Sequence, residues 1–123
     1  MGKLQEALAS HNKALKIHEV LNYRAELAAD YANIGNVLDY MDKYEEALDS
    51  HNKALKIHEE LDDRVEMARD YMNIGIVLYK RSKDEALKSF YNALTILQEF
   101  ERENGYPHPL ADEVNKTISI LKG

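Results

Sequence analysis

The stretch SHNKALKIHE at residues 10–19 returns, letter for letter, at residues 50–59. A ten-residue duplication at a fixed offset means that one small unit is used more than once. A unit of this size cannot bury its own apolar face, so its neighbours must cover it. The copying continues on both sides. Glu6-Ala7-Leu8 matches Glu46-Ala47-Leu48, and Asp30-Tyr31-x-Asn33-Ile34-Gly35 matches Asp70-Tyr71-x-Asn73-Ile74-Gly75. A weaker third return stands at Glu85-Ala86-Leu87 and Ala93-Leu94-x-Ile96.

Within each unit the apolar residues recur every three or four positions, as one face of a helix requires. Leu4, Ala7, Leu8, His11 and Leu15 form the first stripe, which Asn22 and Tyr23 interrupt; Ala28, Tyr31, Ile34, Gly35 and Leu38 form the second. Asp42-x-x-Glu45, Asp63-x-x-Glu66 and Ser82-x-x-Glu85 have capping-box spacing and predict three helix starts. Gly105-Tyr106-Pro107-His108-Pro109 must end a long helix near Asn104, because proline lacks an N–H and fixes φ. Pro109 then suits the first turn of a last helix. Six helices and no strand are predicted, and turns of a few residues make neighbours antiparallel. A single domain is expected over 1–123: a half repeat at 3–21, repeats at 24–61 and 64–104, and a capping helix at 109–121.

The bulk properties narrow the function. A hydrophobic fraction of 45% is that of a folded domain. A formal charge of −6 argues against nucleic acid or an anionic membrane as partner, since both call for a basic stripe. With no cysteine, disulfides, thiolate zinc sites and a cysteine nucleophile all fall away, and a cytoplasmic location is expected. No apolar run approaches the roughly 20 residues of a spanning helix, and MGKLQEALAS has no signal-peptide core.

Gly35 and Gly75 fall in mid-helix, where glycine costs about 1 kcal/mol against alanine. Keeping glycine in both copies implies that another helix presses on bare backbone there. Ala47 and Ala54, with Ala7/Ala14 and Ala86/Ala93, offer the matching flat face. Tyr31-x-x-Ile34-Gly35 and Tyr71-x-x-Ile74-Gly75, followed by Tyr44, Ala47 and Ala54, resemble the tetratricopeptide repeat. The resemblance implies an α-solenoid of antiparallel helix pairs wound into a right-handed superhelix. The usual repeat has about 34 residues and a terminal proline; here Glu59 stands in the proline's place and the unit is longer. In this it looks like Pins-type adaptors, while Pro107-His108-Pro109 looks like the joint of kinesin light chain repeats. The third unit is one residue short between Gly75 and Ala86 and lacks the equivalent of Tyr44, which predicts a looser hairpin. Ile118 takes the glycine position of the last helix and is expected to hold off any following one.

The resemblance also implies a groove lined by the first helix of each repeat. Carried onto this chain, the positions are Ala29, Ala32, Asn33, Asn36, Asp39 and Tyr40, then Arg69, Met72, Asn73, Ile76, Tyr79 and Lys80. Asn33 and Asn73 are the leading candidates, because a primary amide donates and accepts at once and can hold the main chain of any peptide. Ala32 and Met72 stand where a carboxylate-gripping clamp needs lysine, so a clamp for chain termini is not expected.

His11/His18 and His51/His58 are about 10 Å apart along a helix, too far to share one zinc at bonds of about 2 Å. His11 and His51 occupy a packing aromatic's position and read as core residues that could make the stack pH-sensitive. Ser10-His11 and Ser50-His51 diverge by about 100° around a helix and cannot act as nucleophile and base. No enzyme activity, metal or cofactor is expected. The expected function is a scaffold that binds a peptide or helical segment of another protein. The alternatives are self-association through the unpaired first helix, or a peptide-sensing module of a longer protein.

Overall fold

The computed structural model describes residues 2–123; Met1, read above as part of the opening segment, lies outside them. Six helices follow in order: α1 (Gly2–Leu21), α2 (Arg24–Tyr40), α3 (Tyr44–Glu60), α4 (Arg64–Leu78), α5 (Lys83–Asn104) and α6 (Pro109–Lys122). No strand occurs among the described residues. The expected helix ends are met to within a few residues, because turn chemistry is local and legible.

Each of the first three helices ends in a residue with left-handed backbone: Asn22 (φ 57°), Asp42 (φ 61°) and Asp62 (φ 55°). Asparagine and aspartate are the non-glycine residues that accept this conformation most readily. The geometry corrects one expectation. Asp42 ends α2 and does not open α3; Lys43 is the N-cap there, with no side-chain cap. The Asp42 carboxylate instead accepts the Tyr44 hydroxyl at 2.8 Å. The other two starts are capped by side chains. Asp63 accepts the Glu66 N–H at 3.4 Å and Ser82 accepts the Glu85 N–H at 3.3 Å. The reciprocal arm of a capping box is not made: Glu66 turns to Arg69 and Glu85 to Arg81, each at 3.1 Å.

The short third turn has its own solution. Tyr79 keeps helical backbone, Ser82 is extended, and no left-handed residue intervenes. The hairpin is not loosened, contrary to the expectation above: Ala86, Phe90 and Ala93 are all buried. At the far end Gly105 (φ 82°) terminates α5 and Pro109 enters the first turn of α6. The His108 ring accepts the Leu110 N–H at 3.0 Å and lies edge-on to Phe100, which locks the prolyl joint.

The chain divides into two compact units, one ending at Asp62 and one beginning at Asp63. In the first, Leu27 and Ala28 of α2 pack with Ile57 of α3, and Leu15 of α1 closes on them from the other side. In the second, Phe90 and Leu97 of α5 form a core with Met72 of α4 and with Leu110, Val114 and Ile118 of α6. Ile118, at the glycine position, is thus buried on α5.

Candidate functional site

A helix that buries one stripe leaves another outside, and the two first-helix faces can be read residue by residue. On α2, Ala29, Asn33, Asn36 and Tyr40 are exposed, at spacings of four, three and four, while Ala32 and Asp39 are half-buried. On α4, Arg69 and Ile76 are exposed and Asn73 is half-buried between them. Neither Asn33 nor Asn73 uses its side-chain amide in a hydrogen bond with another described residue. Arg69 is tied to Glu66 one turn earlier.

Three of the expected groove positions fall elsewhere. Met72 is buried against Phe90, because it lies about 100° round the helix from Asn73 and points inward. Tyr79 and Lys80 are exposed but lie beyond the end of α4, in the short turn.

Behind these faces stand the packing residues. A Cβ built on Gly35 would lie 2.6 Å from Nε2 of His51, and one on Gly75 would lie 2.8 Å from the Phe90 ring. No side chain fits at such distances, so the helices meet there with bare backbone. Ala47, Ala54, Ala86 and Ala93 are wholly buried, while Tyr31, Tyr44 and Tyr71 are half-buried. Tyr71 also lends its carbonyl to the Ser89 hydroxyl at 2.6 Å, and Lys53 sits over the Tyr31 ring at 5.5 Å. Exposed pairs Arg24–Glu60 (2.9 Å) and Arg64–Glu99 tie the open ends of the two hairpins. Such pairs contribute about 0–1 kcal/mol.

The histidines divide by environment. His51 is fully buried and neither ring nitrogen has a hydrogen-bond partner. Burial pushes its pKa down to about 4, against a smaller upward pull from the Asp39 carboxylate. His18 instead reaches Asp30, Nδ1 to Oδ2 at 2.5 Å, and lies over Tyr23. Asp30, buried in an otherwise apolar face, was missed as a structural residue by sequence reasoning. The available signal was an aspartate kept at 30 and 70 beside core positions. No group of three or more metal-ligating side chains converges among the described residues. Nor is any described helix long and apolar enough to cross a membrane.

Comparison with known proteins follows the same lines. Residues 1–60 match the model for the tetratricopeptide repeat. Among solved structures the chain is similar to BtubC (BKLC) from P. vanneervenii, at 22% identity and a TM-score of 0.84, over 98% of this chain and 49% of that one. It is also similar to the apo form of RapI, at 23% identity and a TM-score of 0.82, over 98% of this chain and 42% of that one. These likenesses are of fold, an all-α solenoid, and the chain spans half or less of each protein it resembles. No curated protein matches it by sequence.

Proposed function

We propose that this chain, which belongs to the tetratricopeptide repeat family, is a protein–protein interaction scaffold whose first helices, α2 in one unit and α4 in the other, each present an outer face to a bound peptide or helical segment. On this reading residues 1–123 are a single repeat domain, with α6 as the cap. Tetratricopeptide repeats are interaction modules, and nothing in the two faces adds chemistry to that role.

The observation that carries the reading is the pair Asn33 and Asn73. They occupy the same place in two copies of one unit, Asn33 exposed and Asn73 half-buried, and their amides are uncommitted. Each amide can pair with one peptide unit of a bound main chain, accepting its N–H and donating to its C=O. Sequence tolerance follows, because main chain is common to all peptides. Tyr40 and Ile76, both exposed, supply apolar surface beside them and would set side-chain preference.

Affinity capture with the full-length protein tests this. Asn33→Ala with Asn73→Ala should cut partner recovery about tenfold or more, since each lost amide removes hydrogen bonds of about 0.5–1.5 kcal/mol. The same change should leave melting within about 0.5 kcal/mol of the parent, as exposed substitutions do. Undiminished recovery would remove the groove reading.

A further inference from the structure

The duplicated decapeptide is covered in one copy and open in the other. In α3, His51 lies against Gly35 of α2, and Ile57, 5% exposed, packs on Leu27 and Ala28. In α1 the same letters stand free: Ile17 is 57% exposed and His11 only half-buried. The packing of α1 on α2 uses a different side, through Leu15 and the His18–Asp30 bond. The open side of α1 therefore repeats, residue for residue, a surface whose occupant is visible in α3: an antiparallel helix with Leu-Ala near its start and glycine two turns on.

We propose that this side of α1 is a docking site for one amphipathic helix of a partner protein, patterned Leu-Ala-x-x-Tyr-x-x-Ile-Gly like α2 but apolar in its first residue. The pattern follows from the template. Glycine would let the helix approach His11 as Gly35 approaches His51, and Leu-Ala would cover Ile17 as Leu27-Ala28 cover Ile57. The change at the first residue follows from the one local difference. Glu60, which pairs with Arg24 at 2.9 Å, has Val20 as its counterpart in α1, 85% exposed and followed by exposed Leu21. An arginine set on Val20 would lose the Glu60-type partner, whereas an aliphatic residue would bury both Val20 and Leu21.

That difference argues against a second copy of this chain, the occupant that the self-association alternative would supply. Both glycine-bearing helices begin with arginine, Arg24 and Arg64, and both glycines are already covered, by His51 and Phe90. In α6 the glycine position is Ile118, itself buried. The site is on α1, a different helix from those that carry Asn33 and Asn73, and does not depend on the groove reading.

Three synthetic peptides titrated into the full chain test the assignment: residues 23–42 as they stand, the same with Arg24→Leu, and that variant with Gly35→Leu added. The Arg24→Leu peptide should bind at least tenfold more tightly than the parent peptide, with shifts at His11, Ile17 and Val20 in the amide spectrum. Adding Gly35→Leu should weaken binding at least tenfold. Because leucine favours helix over glycine, weaker binding of that peptide cannot be laid to poorer folding. Ile17→Asp in the chain, at an exposed position, should abolish binding without moving the melting temperature. Equal binding by all three peptides, or none by the Arg24→Leu peptide at millimolar concentration, overturns the proposal. So does a concentration-dependent dimer of the chain alone that Ile17→Asp dissolves, which would make the second copy the occupant.

Discussion

Where α2 meets α3, the backbone of Gly35 faces an imidazole; where α4 meets α5, the backbone of Gly75 faces the phenyl ring of Phe90. The two hairpins share one plan, with alanines four residues before and three after the ring in each case. Both rings are buried, His51 at 0% and Phe90 at 1% exposure. Shape alone would make them equivalent. Polarity does not: the phenyl ring gives up nothing on burial, while His51 hides two nitrogens without partners. A buried polar group left unpaired costs about 1–3 kcal/mol. The comparison teaches that both units place a flat ring at this crossing while its polarity differs between them. The α2–α3 crossing thereby contains a titratable ring where the α4–α5 crossing has none.

The largest effect should come from filling the shared crossing. Leucine at 35 or 75 would drive several carbons into rings that already lie within 3 Å of the position of its first one. Overpacking typically costs about 1–3 kcal/mol and more where nothing can yield, so about 3 kcal/mol or more is expected in the unit that carries the change. Amide exchange resolved by helix would register it, with α2 and α3 deprotected by Gly35→Leu, and α4 and α5 by Gly75→Leu. Parent-like protection in either variant would mean that the helices do not meet through bare backbone.

Acid should separate the two hairpins by a similar or slightly smaller amount. With its pKa lowered from 6.5 to about 4, His51 takes up a proton more readily when unfolded. Its share of stability is therefore present in full above pH 6.5 and lost progressively as the pH falls to about 4. At about 1.4 kcal/mol per pKa unit the loss totals roughly 3 kcal/mol. His51→Phe, which copies Phe90, should remove this loss, so that variant and wild type diverge by about that amount as the pH falls from 6.5 to 4, and leave the variant the more stable at neutral pH. Carboxylates titrate in both proteins and cancel in the difference. Parallel stability curves from pH 4 to 7 would show that His51 is not held neutral.

The smallest effect concerns the turns, where the first three junctions use a left-handed residue and the Lys80–Ser82 turn uses none. Asp62→Gly removes the steric cost of φ 55° and should add up to about 1 kcal/mol to chemical-denaturation stability. Lys80→Gly, at a turn without that geometry, should not stabilise. Equal responses at the two sites would mean that the turns do not differ as described.

Much of this architecture was legible in advance. The duplicated decapeptide, the three-and-four spacing and the prolyl joint set six helices and most of their ends, because helix formation and turn chemistry depend on near neighbours in the chain. The exceptions are physical. Asp42 looked like a cap because its spacing to Glu45 fits, but its backbone is left-handed and its carboxylate goes to Tyr44. Met72 is expected in the groove because the family resemblance carries that position there, yet a step of about 100° from Asn73 turns it into the core. The bond from His18 to Asp30 joins residues twelve apart on different helices, and no local rule announces it.

Sequence by itself determined that this chain is a tandem all-helical repeat with glycine kept at its closest crossings, since duplication and periodicity are properties of the letters. Only the tertiary structure decided which of two identical decapeptides is covered, which face of α4 looks outward and which histidine is stripped of partners. Identical side chains acquire different exposure and different partners from the helices laid against them, and that is information no stretch of sequence carries alone.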